Sequence, residues 1–549
     1  MDRRLINAAL GKEEADIIFK NATVVDVFTH TLTQCDVAVA CGKIAGLGNY
    51  SGSHEIDCTG KYLMPSFIDS HIHIESSMLS PSEYAKIVVP KGVTTIIADP
   101  HEIANVCGEE GLKYMLASAE SVPLDIMYML PSCVPATPFD SSGARIGSAT
   151  TKRLMEEYNF LGLGEMMDYV GVISTNDETL AKIDCAKICD GHSPMLSHKE
   201  LCAYVSTGIL TDHECTSVEE ALEKIRLGMY IQIREGTSAK NLAELIKVIN
   251  PYTLRRLLFC TDDKHINHII ENGTISNCVN KAISLGVDPI DAITIATLNA
   301  ANCYGLAKKG AIAPGYCADL LVCDDLSAQS ILEVYKDGEI VARNGNALFE
   351  KIAVSHENVI NTVHIKEVSA DSFKLDFTPG MTCIKVIPDT LVTQKIVKDT
   401  PDGLNYCAVI ERHNSTGNVG LAWVDGFALK KGAIAQSIGH DSHNITVVGS
   451  NPEDMAVAVN ALGTEGGIAV ACDGKVIAQL MLPIAGLMSD LPAETVNEEH
   501  EHVVESAAAL RENNDVDIFM MLSFISLFVI PEIRLNDRGL FDVTTQNYI

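Results

Sequence analysis

Asp69-Ser70-His71-Ile72-His73-Ile74-Glu75-Ser76-Ser77-Met78 follows an apolar run, Tyr62-Leu63-Met64-Pro65-Ser66-Phe67-Ile68. Residues two apart on a strand share a face. At the end of such a strand, His71 and His73 can turn both imidazoles to one point, as half of a metal site. Two histidines alone also occur as a core or surface pair without a ligand. Their reading depends on what the rest of the chain brings to them.

Seven further apolar runs follow, at 93–98, 124–129, 160–164, 189–191, 208–210, 229–233 and 257–260. Segments between them, such as 217–227 and 239–249, carry helical apolar spacing with Glu and Lys on the other face. Eight strands alternating with helices predict a parallel sheet closed into a (β/α)8 TIM-type barrel. An open doubly wound sheet is the alternative, but no glycine-rich nucleotide fingerprint follows any strand.

Chemistry in such barrels sits at the C-terminal ends of the strands. His71 and His73 follow the first run, and Asp99, His101 and Glu102 the second. Glu165 follows the fourth, His192 the fifth, Asp212 and His213 the sixth, and Asp262 the eighth. Any one of these could be a helix cap or turn residue. Together they place imidazoles and carboxylates where a barrel would aim them at its axis. That donor set, without a thiolate, suits divalent zinc, iron or manganese. Glu165 can bridge two ions, and Asp262 can both bind an ion and accept a proton from the attacking water. Ser76 and Ser77 are expected to cap the helix after the first strand.

Both sides of the barrel segment change texture. Residues 16–47 are β-rich runs punctuated by Asn21 and Cys41-Gly42. The same style returns from Lys309, with a hairpin signal at Lys336-Asp337-Gly338. The expected architecture is a composite β-sandwich domain (1–63 and 310–352), a metal-dependent barrel (64–309) and an additional α+β C-terminal domain (353–549). In the last, strands are expected at 467–471 and 475–479, and helices at 452–462, 482–487 and 493–511.

A formal net charge of −31 argues against a nucleic-acid partner, which needs a basic footprint. Seventeen cysteines without a CxxC pair, and a start that lacks an apolar leader, predict reduced thiols and a cytoplasmic protein. The apolar run 518–530 is too short to span a membrane and reads as a buried element. It could also supply a subunit interface. His440 and His443, in Gly439-His440-Asp441-Ser442-His443-Asn444, are candidates to reach the site from the C-terminal region or to form a structural loop.

The stretches PSFIDSHIHIESSMLSP (65–81), ADPHEIANVCG (98–108), GLGEMM (162–167), GHSP (191–194), TDHEC (211–215) and FCTDDK (259–264) resemble the amidohydrolase superfamily, and within it the adenine deaminases. So do GHDSHN (439–444), GGIAVACDGKV (466–476), LPIAGLMSD (482–490) and NDRGLFDV (536–543) in the last third. Many binuclear amidohydrolases carry a bridging lysine at the fourth strand, where this chain has Glu165. The resemblance implies hydrolysis of adenine to hypoxanthine and ammonia, with a binuclear centre of Mn2+ or Fe2+. His71 and His73 would bind the first ion with Asp262, Glu165 would bridge, and His192 and His213 would bind the second. Glu165, Asp262 and His213 are then the catalytic candidates. Asp99, His101 and Glu102 are candidates for touching the substrate. The resemblance also implies a homo-oligomer, specifically a dimer. The metal-site residues alone leave open another ring-amide or pyrimidine hydrolase, and a non-catalytic binding protein on the same scaffold.

Overall fold

In the computed structural model, which describes residues 2–549 except 238 and 389, eight short parallel strands close on themselves. They are β1 (Phe67–Ile72), β2 (Val93–Ala98), β3 (Asp125–Tyr128), β4 (Leu163–Met166), β5 (Cys189–Gly191), β6 (Thr211–Asp212), β7 (Tyr230–Arg234) and β8 (Leu257–Cys260). Pairing runs β1-β2-β3, β4-β5 and β6-β7-β8. The gaps are joined by the Leu130–Leu163 bridge and by Leu210 N–H donating to the Cys189 carbonyl at 2.9 Å. The ring is completed by Asp262 N–H donating to the His71 carbonyl at 3.0 Å. Seven of the eight runs read from sequence overlap these strands, and the sixth, 208–210, ends directly before β6.

The pleat of β1 is interrupted, and the interruption matters. Ile68 packs in the barrel interior with Ile97, Met129, Leu258 and Tyr304. Ile72 shares the same even-numbered register, yet it packs with helix residues such as Tyr84 and Ile103. A register shift between Asp69 and Ile72 exchanges the two faces. An irregularity of this kind re-aims the side chains beyond it. Here it leaves the odd-numbered His71 and His73 facing the barrel axis.

Strands Ala15–Asp26, Thr31–Ala40, Lys43–Leu47, Gly52–Asp57 and Tyr62–Pro65 join Leu320–Cys323, Ile331–Lys336, Glu339–Arg343 and Asn346–Ala347 in one nine-stranded sheet. The seam is antiparallel, with Leu63 opposite Val322. The sheet wraps around a core that includes Phe19, Val39, Leu63, Leu320 and Tyr335. The chain thus leaves this sheet to form the barrel and returns to it.

The last third carries an eight-stranded, mostly antiparallel sheet. Along Leu404–Ile410 its faces alternate. Ala408 and Ile410 pack against helix Pro452–Ala461, and Val409 joins the core shared with the barrel. Strands are found at Gly467–Cys472 and Lys475–Met481, and a helix at Ala493–Ala509. Residues 482–487 form a tight turn rather than the expected helix, closed by a bridge between Ile484 and Met488. In 239–249 only Leu242–Leu245 is α-helical. Ser76 and Ser77 lie in the 3-10 turn Ile74–Ser77, and Ser80 occupies the N-cap of helix Pro81–Val88. The run 518–530 forms the buried helix Ile518–Phe524 and the turn after it. Most of it is buried within the chain. No helix among the described residues is long and apolar enough to cross a membrane.

Candidate metal centre and substrate cavity

The strand ends deliver His71, His73, Glu165, His192, His213 and Asp262 to one place. Three overlapping triads each have all ligand atoms within 4.8 Å of one another: His71 with His213 and Asp262, His71 with His73 and Glu165, and Glu165 with His192 and His213. Glu165 stands between the two halves. Its Oε1 lies 3.4 Å from His73 Nε2 and 3.9 Å from His71 Nε2, and its Oε2 lies 2.7 Å from His192 Nδ1 and 3.2 Å from His213 Nε2. Asp262 Oδ1 is 3.1 Å from His73 Nε2 and 3.8 Å from His71 Nε2.

Neighbouring groups aim these ligands. His73 Nδ1 donates to the Asp99 carbonyl at 2.9 Å, so its Nε2 presents a lone pair. The Glu165 N–H donates to Asp99 Oδ2 at 3.0 Å. Gly164 permits that approach, because a Cβ there would lie 2.0 Å from Asp99 Oδ2. Asp262 has a backbone φ of 56° immediately after β8, which turns its carboxylate into the barrel mouth. Arg234, at the end of β7, pairs with Asp262 Oδ2 and lies 2.5 Å from Glu214 Oε1.

The donor set fits divalent ions. His71 Nε2 is buried with no hydrogen-bond partner, an arrangement that costs stability unless a cation completes it. Burial opposes the charged form of every member. It would raise the carboxyl of Glu165, yet His192 and His213 hold it well below the usual carboxylate range. It would lower His213, yet Glu165 lifts that imidazole to about 9. Asp262 is likewise kept ionised against burial, chiefly by Arg234.

A cavity of about 670 Å³ opens on this centre. One wall is polar, with Glu214, Arg234, Asp262 and Asp263. The C-terminal domain adds apolar side chains, Met520, Met521, Phe524 and Leu527. A cavity that mixes charged and apolar lining suits a heteroaromatic ring. His101 and Glu102 line the cavity. Asp99 does not line it and lies behind Glu165. Arg234 and Asp263 were not singled out from sequence, although both stand at strand ends and the strand-end rule could have found them. The wall from 520–527 carried no chemical signal in sequence. His440 does line the cavity, and His443 sits behind it against Glu102.

Residues 62–341 match the model described as Amidohydrolase family, and residues 384–547 match that of the Adenine deaminase C-terminal domain. The chain is 46% identical over 563 residues to an adenine deaminase of Clostridium acetobutylicum, covering 99% of each chain. It is 44% identical to an adenine deaminase of Nitratidesulfovibrio vulgaris strain DP4, covering 99% of this chain and 98% of the relative. It is also 44% identical to one from Halalkalibacterium halodurans, covering 100% and 98%.

Proposed function

The chain belongs to the adenine deaminase family of amidohydrolases, and from that premise we propose that it hydrolyses the C6–N6 bond of adenine at a binuclear centre held by the six strand-end ligands. The products are hypoxanthine and ammonia, which places the enzyme in purine salvage. His71, His73 and Asp262 would hold one ion and His192 and His213 the other, with Glu165 placed between the two sets. The donor set suits divalent zinc, iron or manganese, and the resemblance to the adenine deaminases narrows this to Mn2+ or Fe2+. When bound, the ions supply Lewis acidity and lower the pKa of water so that it is a nucleophile at neutral pH.

The protein's own groups do the rest. Asp262 accepts the proton of the attacking water and returns it to the purine ring. Arg234 keeps Asp262 ionised before that step. Met520, Met521 and Phe524 hold the ring flat against the polar wall and exclude water. The observation that carries the reading is the convergence of the six strand-end residues beside a cavity roomy enough for a purine, in a chain with full-length adenine deaminase relatives. The proposal includes a reduced, cytoplasmic setting, supported by seventeen free cysteines. It includes a homodimer, supported by the resemblance to the family.

The test is to incubate manganese-loaded protein with adenine and follow ammonia and hypoxanthine. Asp262→Asn is expected to abolish turnover while the fold survives by circular dichroism. Turnover of dihydropyrimidines in place of adenine would overturn the substrate assignment, and wild-type activity in the Asp262 variant would overturn the role given to that residue.

A further inference from the structure

Glu102 opens helix His101–Ala119 after β2, and its carboxylate meets two histidines of the C-terminal domain. Oε2 pairs with His443 Nε2. The Gly439 N–H donates to His443 Nδ1 at 3.2 Å, so a neutral His443 carries its proton on Nε2. That ring is therefore a hydrogen-bond donor to Glu102 rather than a metal ligand. Oε1 of Glu102 lies 2.5 Å from His440 Nδ1.

His440 is held on three sides. Its N–H donates to the Ser523 carbonyl at 2.7 Å, its carbonyl accepts from Ser526 Oγ, and its ring stacks on Phe524 with centroids 4.4 Å apart. It lines the same cavity as Asp262 and Asp263. With Nδ1 taken by Glu102, Nε2 is the nitrogen left to meet a ligand, and it has no hydrogen-bond partner among the described residues. A carboxylate behind an imidazole fixes its orientation and stabilises its protonated form, which is how an acid is prepared for a leaving group. Burial alone would lower His440, but Glu102 and Asp263 bring it to about 9.

We propose that His440 is the catalytic acid that protonates the departing amine, with Glu102 as its positioning residue. This rests on the adenine reading above. Once water oxygen has bonded to C6, the C6–N6 bond breaks and N6 keeps the electron pair. N6 takes the proton from His440 Nε2, and ammonia leaves. The proton remaining on O6 is lost as the carbonyl forms, and it restores the imidazolium.

The test compares adenine with 6-chloropurine, whose chloride leaves without a proton. His440→Gln can still hydrogen-bond Glu102 but cannot donate a proton. It is expected to lose about 10²- to 10⁴-fold in kcat on adenine, with 6-chloropurine hydrolysis, metal content and melting temperature close to wild type. Equal losses on both substrates, or no loss on adenine, would overturn the proposal. Glu102→Gln is expected to show the same substrate-selective loss, and it carries the test should the His440 variant fold poorly. If wild-type enzyme itself leaves adenine untouched, the functional reading fails rather than this role.

Discussion

Arg234 shows how one side chain sets the chemistry of another. Its guanidinium lies half-buried between Asp262 and Glu214. Asp262 must be ionised to take a proton from water, and the adjacent cation favours that form. Arg234→Met removes the cation, so the pKa of Asp262 rises and the base is lost at a higher pH. The acid limb of the kcat/KM profile is expected to move upward in pH by about one unit or more, each unit being a factor of ten in rate on that limb. An unshifted acid limb would remove Arg234 from this role. The convergence of the six strand-end residues was legible because strand ends are short in sequence and each carries a polar residue directly after an apolar run. Arg234 was passed over because it is the last residue of its strand, and sequence does not say that its charge is turned inward.

At the scale of elements, the wall of the cavity depends on a buried cation that is far from the reaction. Arg534, in strand Ile533–Asn536, donates to the carbonyls of Phe524 at 3.0 Å, Ile530 at 2.8 Å, Pro531 at 3.0 Å and Leu391 at 2.7 Å. These carbonyls belong to the end of helix Ile518–Phe524, the turn after it and the loop beside it. A helix end leaves its last carbonyls unpaired, and here the guanidinium satisfies them. Arg534→Met strands several buried acceptors, a cost of about 3 kcal/mol. Thermal unfolding should reveal that loss, and KM for adenine should rise because Met520, Met521 and Phe524 are no longer held. A variant with unchanged stability and KM would show that the segment is held by its apolar packing alone. The acidic helix Ala493–Ala509 was readable as a solvated element because only its inner positions, Val496, His500, Val503 and Ala507 among them, are buried. The turn at 482–487 was not readable, because its apolar residues are buried by neighbours distant in sequence.

For the whole molecule, the centre ties barrel strands β1, β4, β5, β6 and β8 together, and ions should stabilise the native chain by mass action. Without ions, His213 holds a proton up to about 9, and a bound ion must displace it. The sign follows directly. Competition by protons is strongest below that pKa and fades as pH rises through it. Added Mn2+ is expected to raise the melting temperature by several degrees, with a larger gain at pH 8.5 than at pH 6.5, and a chelator should reverse it. A gain that is equal at both pH values would argue against protonated histidines in the metal-free centre.

Sequence by itself determined the eight-strand rhythm, the return of the chain to its first sheet, and which histidines and carboxylates stand at the strand ends. Those properties are local, since each rests on a few adjacent residues and the order in which they recur. Tertiary structure decided which way β1 turns its histidines, because a register shift exchanges faces only when a partner strand is present. It also decided that Ile518–Phe524 walls a cavity and that His440 meets Glu102, more than three hundred residues away in sequence. No local pattern encodes such a meeting, since it depends on how the C-terminal sheet packs over the barrel mouth.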